Sequence, residues 1–325
     1  MGQGIAPLTP AARDYAFGGR RLERYGKRLQ ERTAETWEFS LYPGRPSRLA
    51  DGEALPDHLS RAWGWDARAR ADLPLVKLLD IQGDLPVHCH PSDAQAHSLP
   101  GDDPGKDEAW LVLEAGPEAA VYLGFSHPMG EEDVVAAIRG EGLRPHMVRL
   151  VPRPGDVIMV PTGTAHAARD IVIYEVQQTS DRSFLAEKVD LWGRTLDPET
   201  VERQGREFAR HVRRAPPHAA LHAAGVLQAA SAEEPLPLVG CDHFGAEVWT
   251  LTAPRILPPG AYTVLAGGVA GQDAGVGQTL LVGPDPTPLS PQGGFARLVR
   301  AWAPDPGLAQ RLRAAGRYLE GMGEG

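Results

Sequence analysis

The stretch VPRPGDVIMVPTGTAH, residues 151–166, constrains the fold more than any other part of the chain. Its Pro and Gly residues are typical of two tight corners, and the apolar residues 157–160 between them are typical of a short strand. A strand held between two corners fixes the residue that follows it. The stretch therefore predicts a β-rich core that presents His166 at a rigid strand end, where it can bind a metal. The alternative is a hairpin whose histidine faces solvent.

Turn-forming residues are frequent throughout the chain. With 37 Gly and 30 Pro among 325 residues, many short strands are favoured over long helices. The length allows two units of unequal size. We predict a mainly β fold, with a metal-binding domain over residues 1–230 that carries N-terminal and helical additions, and a smaller, structural β domain over residues 231–325. The charged residues 20–36 are predicted to form a peripheral helix.

Charge and cysteine content exclude several classes of protein. The formal net charge is −9 and there is no long run of Lys or Arg, so neither nucleic acid nor a membrane surface is predicted as a partner. The two cysteines are far apart and lack zinc-finger spacing, which favours a reducing cytoplasm. No stretch approaches the roughly 20 apolar residues of a membrane span. The oligomeric state is left open.

A second motif supplies further candidate ligands. In the run His88-Cys89-His90, strand geometry directs both histidines to the same face. Glu108 stands at the entrance of a later strand. Together with His166 these residues make a set of three histidines and one carboxylate, which suits Zn²⁺, Fe²⁺ or Mn²⁺. Taken alone, the pair His88 and His90 is equally typical of surface histidines on an edge strand, and Glu108 is more typical of a solvated strand end.

Several segments in the same order resemble a known family. The spacing from Gly155 to His166 resembles the second motif of the cupin β-barrels. The whole set resembles the class I mannose-6-phosphate isomerases, in particular their short bacterial forms. The segments that carry the resemblance are WEFS (37–40), LPLVKLLDIQGDLPVHCHPSD (73–93), GKDEAWLVLEA (105–115), PGDVIMVPTGTAHA (154–167), IVIYEVQQTSD (171–181) and DLWGR (190–194).

The resemblance implies a fold, a cofactor and a reaction. It implies a cupin jelly-roll followed by a smaller cupin-like β domain, and a zinc site formed by His90, Glu108 and His166. His88 stands where the family carries a glutamine ligand, so another divalent transition metal is an alternative to zinc. The implied reaction is the interconversion of mannose 6-phosphate and fructose 6-phosphate through a cis-enediol, in carbohydrate metabolism.

The resemblance also suggests which residues hold and convert the sugar phosphate. Lys77, Lys106 and Glu38 are predicted to bind substrate, and a compact ammonium suits a phosphate. Lys106 is also a catalytic candidate. The family has an arginine shortly after its Ser-Asp pair, but here that position is Leu185, and Arg182 and Arg194 are the candidates to replace it. The catalytic base is left open between Glu38, Asp181 and a metal-bound water.

Two other functions fit the same residues. The substitution at Leu185 favours a cupin isomerase or epimerase of a different sugar, one without a phosphate. A non-catalytic, metal-dependent sugar-binding cupin would keep the same ligand residues and lack turnover.

Overall fold

The computed structural model describes residues 4–28, 32–216, 222–272 and 274–320. Within these ranges strands predominate over helices, as the sequence predicts, and no helix is both long and apolar enough to cross a membrane. The helices are α1 (Leu55–Trp63), α2 (Asp93–His97), α3 (Glu131–Arg139), α4 (Pro198–His211) and α5 (Pro306–Ala314).

The strands of the described ranges vary in length from 2 to 18 residues. In chain order they are β1 (Ile5–Thr9), β2 (Ala11–Arg13), β3 (Glu35–Phe39), β4 (Arg48–Leu49), β5 (Leu75–Cys89), β6 (Glu108–Phe125), β7 (Met147–Leu150), β8 (Val157–Val160), β9 (His166–Gln177), β10 (Phe184–Leu185), β11 (His222–Ala223), β12 (Leu236–Cys241), β13 (Gly245–Leu251), β14 (Arg255–Ile256), β15 (Gly260–Val269), β16 (Thr279–Val282), β17 (Pro288–Leu289), β18 (Pro291–Trp302) and β19 (Tyr318–Leu319).

The first sheet is built around β9. Its order in the described residues is β11-β8-β6-β9-β5-β3-β2, with β10 added against β5 and β7 against β6. The run IVIYEVQ in β9 is rich in β-branched residues and buried on both faces, which suits a central strand. Because β9 is antiparallel to both neighbours, it holds the ends of β5 and β6 beside each other.

The strands β5 and β6 are each longer than the sequence pattern indicates. We predict two short strands in each place, separated by the turn-forming residues near Gly83 and Gly116. In the structure the chain runs through both sites, and the register shifts between Ile81 and Asp84 and between Ala115 and Ala120. Extra residues in such bulges bend a strand without ending it.

The second sheet has the order β19-β12-β13-β18-β15-β16-β1-β4 in the described residues. Most of its strands follow residue 231, but β1 and β4 come from the N-terminal part of the chain. Strand β1 pairs with β16, and β4 pairs with β1. The division of the chain near residue 230 stays a prediction. Apolar side chains of both sheets, among them Phe39, Trp110, Leu238 and Val299, share one core.

The helix predicted for residues 20–36 is wrong in the part of that range that the structure describes. The chain makes only a 3₁₀ turn, Arg21–Tyr25, which Gly26 ends in the left-handed region at φ 69°. A glycine adopts that conformation without the steric cost of a Cβ. By Glu35 the chain has entered β3, where pairing with β5 overrides the helical composition.

The sequence also predicts a helix at residues 131–140, which has acidic residues at its N-terminal end, and another after Asp197, and both are confirmed. The Asp197 side chain accepts a hydrogen bond of 2.9 Å from the backbone N–H of Thr200, and Pro198 takes the first helical position. The two helices pack together over a second apolar cluster that includes Val134, Ile138 and Phe208. They cover the outer side of the strand ends that carry the histidines.

Asp156 fixes the corner before β8. Its carboxylate accepts hydrogen bonds from the N–H groups of Gly225 (2.8 Å) and Arg153 (2.9 Å) and lies 3.0 Å from His222 Nε2. Burial alone would raise the pKa of Asp156, but these contacts outweigh burial and lower it below its ordinary value of 3.8. The ionised carboxylate therefore ties β11 to the corner that leads to His166.

This contact gives the protein a predictable acid sensitivity. Because the folded state lowers the pKa of Asp156, its contribution to stability is present above the ordinary value of 3.8 and is lost as the pH falls through the lower, folded-state pKa. We expect Asp156→Asn to cost about 1 kcal/mol at neutral pH and to flatten the acid limb of the stability curve. Urea unfolding across the acid range measures both effects. Asp285→Asn, at an exposed position, is the control, and an equal flattening there would contradict the assignment.

Candidate metal centre

Three histidines meet at the end of β5 and the start of β9. His88 pairs directly with His166 in the sheet, and His90 follows the last residue of β5. Their candidate ligand nitrogens all lie within 4.8 Å of one another, and all three side chains are buried. The alternation of β5 places His88 and His90 on the same side, as the spacing predicts. The structure thus brings three of the four predicted metal ligands into one cluster.

Each histidine is oriented by a backbone carbonyl. Since a carbonyl oxygen only accepts, each ring donates from Nδ1 and keeps the lone pair of Nε2 for a ligand. The acceptors are Pro86 O for His88 (2.8 Å), Arg182 O for His90 (2.9 Å) and Thr164 O for His166 (2.9 Å). The rings are therefore held in the tautomer that a metal requires.

Glu108, the first residue of β6, lies against two of these histidines. Its Oε1 is 3.1 Å from His166 Nε2, and its Oε2 is 3.1 Å from His90 Nε2 and 2.9 Å from Lys106 Nζ. These contacts lack hydrogen-bond geometry, so both oxygens and His166 Nε2 are buried without a hydrogen bond to any described residue. Buried polar atoms without partners need an explanation, and a divalent cation bound between them provides one. The donor set fits zinc.

The protonation states of the cluster favour a cation. Burial, with the nearby Lys106 ammonium, lowers the pKa of His90 to about 3, and burial holds the pKa of His88 well below 6.5. Burial alone would raise the pKa of Glu108, but Lys106, His90 and His166 together outweigh burial and hold that pKa well below its ordinary value. Neutral imidazoles and an ionised carboxylate are the forms that bind metal.

A cavity of about 200 Å³ opens next to the cluster. His88 and Glu108 form part of its wall, so a metal held there would face the cavity. Lys77, Lys106, Asp181 and Leu185 also line it. The remaining lining residues are Arg13, Tyr15, Phe17, Glu35, Leu79, Leu85, Trp110, Glu175, Ser183, Leu191 and Trp192.

Comparison with known proteins places this arrangement in context. No family model matches the chain. The "Probable mannose-6-phosphate isomerase GmuF" of Bacillus subtilis (strain 168) is 28% identical over 278 residues, which are 81% of this chain and 84% of that protein. The crystal structure of the mannose 6-phosphate isomerase from Bacillus subtilis superposes with a TM-score of 0.73 at 20% identity, over 92% of this chain and 99% of that one. A mannose 6-phosphate isomerase bound with zinc and yttrium superposes with a TM-score of 0.68 at 18% identity, with coverage of 92% and 99%. The chain is similar in sequence and in fold to the mannose-6-phosphate isomerases.

Leu185 stands where these isomerases are expected to carry an arginine. It pairs with His88 through β10 and lines the cavity. The neighbouring strand therefore reaches the metal cluster, but it brings an apolar side chain.

Three of the predicted substrate and catalytic residues do not line the cavity. Glu38 is fully buried and binds Lys27 (2.7 Å) and Thr279 (3.2 Å), so it joins the two sheets. Arg182 contributes its backbone carbonyl to His90, while its guanidinium donates to Pro100 O. Arg194 is exposed at the rim and pairs with Asp190 at 2.6 Å.

Lys77 and Lys106, which are predicted to bind substrate, do line the cavity, and each forms an ion pair with at least one carboxylate. Lys77 Nζ is 3.2 Å from Glu175 and 3.7 Å from Glu35, and it lies over the ring of Trp37. Burial alone would lower the pKa of Lys77, but the carboxylates outweigh burial and raise it. The lysine therefore stays charged.

Sequence reasoning missed several side chains of the cavity. Glu175 is one of them, and an acidic residue within the apolar run IVIYEVQ was a signal for a buried carboxylate that needs a cation. Arg13 and Tyr15 gave no comparable signal, because their segment has no regular pattern of charge or hydrophobicity. They reach the cavity only through the pairing of β2 with β3.

Proposed function

We propose that the protein is a metal-dependent aldose-ketose isomerase that interconverts mannose 6-phosphate and fructose 6-phosphate through a cis-enediol. The observation that carries this proposal is the buried cluster of His88, His90, His166 and Glu108 at the wall of a cavity lined with charged groups. The similarity to mannose-6-phosphate isomerases over most of the chain supports it.

The proposed cofactor is zinc, with these four residues as ligands. A zinc ion held there would supply Lewis-acid chemistry to the oxygens of the open-chain sugar. The other roles fall to side chains of the protein. Lys106 lies beside Glu108 and lines the cavity, so it is placed to hold a substrate oxygen.

The reaction also needs a group that carries a proton between the two carbons. Of the candidate side chains, Asp181 lines the cavity, whereas Glu38 lies in the contact between the sheets. Asp181 is therefore the proposed proton carrier. Its side chain is 30% exposed, so it can exchange protons with solvent.

The direct test is a coupled assay of the purified, zinc-loaded protein with mannose 6-phosphate and with fructose 6-phosphate. Turnover in both directions is the expected result. Stoichiometric zinc without turnover of any sugar would instead indicate a sugar-binding protein and would contradict the proposal.

A second candidate function is the isomerisation or epimerisation of a sugar without phosphate. The charge balance of the cavity favours it. Lys77 is matched by Glu175 and Glu35, and Lys106 by Glu108, so each ammonium already has a carboxylate within 4 Å. A phosphate would have to compete with these carboxylates.

The two functions differ in what Lys77→Ala does to specificity. If Lys77 holds a phosphate, kcat/KM for mannose 6-phosphate should fall about tenfold or more relative to kcat/KM for mannose, because only one substrate loses a charged contact. Damage to the fold lowers both values and leaves their ratio unchanged. Lys188→Ala, at an exposed lysine, is the matched control. An unchanged ratio in Lys77→Ala would favour the unphosphorylated sugar.

The proposal includes a location and partners. A cytoplasmic enzyme of carbohydrate metabolism, with a small sugar phosphate as its partner and without nucleic acid or membrane, agrees with the net charge and with two buried, unpaired cysteines.

A further inference from the structure

The cavity holds three cationic side chains from different parts of the chain. Lys77 comes from β5, Lys106 precedes β6, and Arg13 ends β2. Isomerisation places negative charge on substrate oxygens as the proton leaves carbon. A preorganised donor that faces this charge is usually worth more than one in water. The three cations differ in how many of their N–H donors are left for a substrate.

The two lysines are enclosed by protein groups. Lys77 Nζ lies between two carboxylates and the face of Trp37, and its side chain is only 4% exposed. Lys106 Nζ is 2.9 Å from Glu108 and 3.1 Å from His90 Nε2. Both ammoniums are therefore already engaged by protein groups, and Lys106 has at most one N–H left for a substrate oxygen.

Arg13 is held in place but not saturated. One terminal nitrogen donates to Asp181 and the other to the hydroxyl of Tyr15. The guanidinium lies 5.0 Å from the centre of the Trp37 ring, so its plane is fixed by an aromatic face. Its Nε is buried and has no hydrogen-bond partner among the described residues. A donor that is fixed, charged and unused is suited to an incoming oxygen.

Tyr15 adds a second hydrogen-bond donor beside Arg13. Its hydroxyl accepts from Arg13, so its own hydrogen is free to be donated. Burial, followed by the nearby Glu35 carboxylate, raises the pKa of Tyr15 to about 12, which keeps the hydroxyl protonated at neutral pH. Arg13, Tyr15 and Asp181 thus form a connected set of donors and one acceptor along the cavity wall.

We propose that Arg13 is a catalytic residue of the isomerisation, whose guanidinium binds the substrate's oxygens and stabilises the negative charge of the enediolate. In this chain the arginine comes from the N-terminal strand β2, and it lines the same cavity as the apolar side chain of Leu185. The proposal replaces Arg182 and Arg194, whose guanidinium groups do not line the cavity. It rests on the proposed isomerase function.

The test compares Arg13→Gln and Arg13→Lys with the native, zinc-loaded protein. Glutamine keeps a donor for Tyr15 but removes the charge, and lysine keeps the charge but loses the planar fork. We expect kcat to fall about 10²-fold to 10³-fold in Arg13→Gln and less in Arg13→Lys, with zinc content unchanged. Free guanidinium ion added to Arg13→Gln should restore part of kcat. Arg20→Ala, in the same segment and paired with Glu23 on the surface, is the control.

Several results would overturn the assignment. One is a kcat in Arg13→Gln within about threefold of native, a change too small for a lost charge-stabilising contact. Another is a loss that guanidinium does not restore and that comes with less zinc or a lower Tm, since that describes a structural role. A loss in Arg182→Ala or Arg194→Ala with none in Arg13→Gln would return the role to those residues.

The binding of fructose 6-phosphate separates this proposal from the proposed function. If the native protein binds fructose 6-phosphate without turnover, the isomerase proposal fails, and so does a catalytic role for Arg13. If the native protein turns the sugar over and Arg13→Gln does so equally well, only the assignment of Arg13 fails. Isothermal titration calorimetry and the coupled assay on the same preparations give both readouts.

Discussion

Replacement of His166 by alanine is expected to leave a folded protein that binds no zinc and has lost at least about 10³-fold in isomerase activity. His166 is fully buried, and its Nε2 has no hydrogen-bond partner in the described part of the chain. Loss of one ligand from such a set removes the metal, and with it several kcal/mol of charge stabilisation in the transition state. Elemental analysis of the purified variant measures the first effect and the coupled assay the second.

The controls separate loss of metal from loss of fold. Zinc should raise the Tm of the native protein and leave that of His166→Ala unchanged, because a ligand stabilises only a fold that binds it. In the presence of a chelator both proteins should melt at similar temperatures. His127→Ala, at an exposed histidine, should keep its zinc. Stoichiometric zinc in His166→Ala would refute the assigned ligands.

The second large effect is expected in the second sheet, at Glu247. This carboxylate is fully buried and pairs with Arg300 at 2.9 Å and with Arg311 at 2.5 Å. Glu247→Leu leaves the buried guanidinium of Arg300 with the carbonyl of Pro259 at 2.9 Å and the half-exposed carboxylate of Asp305 at 3.4 Å. We expect the free energy of unfolding to fall by about 3–5 kcal/mol, measured by urea denaturation, because an unpaired buried charge is costly.

A double variant shows whether charge is the cause. Glu247→Leu combined with Arg300→Met removes both charges and should recover most of the lost stability. A double variant as unstable as the single one would show that shape, not charge, explains the loss. Glu320→Leu, which breaks an exposed pair with Arg313, should change stability by less than about 1 kcal/mol.

The sequence predicts that the three histidines cluster because strand parity is a local rule. His88 and His90 share a side in any extended strand, and the corners around 157–160 place His166 at a strand end whatever surrounds them. The same holds for α4, where Asp197 and Pro198 mark a helix start through contacts within one turn. Wherever the deciding contacts lie within a few residues, the prediction holds.

The rest of the site depends on contacts between distant residues. Arg13 meets Asp181 only because β2 adds to β3, and no local pattern in the N-terminal segment indicates this. Counting forward from Asp181 gives Leu185 at the position of the expected arginine and leaves Arg182 and Arg194 as the candidates to replace it. The backbone instead turns both guanidinium groups away and leaves the carbonyl of Arg182 facing His90. Composition likewise favoured a helix at 20–36, which the sheet overrides.

The strand β1 joins the second sheet by pairing Ile5 with Val282. Residues 5–9 are synthesised long before their partner strand β16 (Thr279–Val282). The second sheet therefore closes after the strands of the first sheet that carry the histidines are available to fold. Until β16 is made, the edge of β1 that it covers stays unpaired, and an unpaired strand edge is a site at which another chain can pair and aggregate.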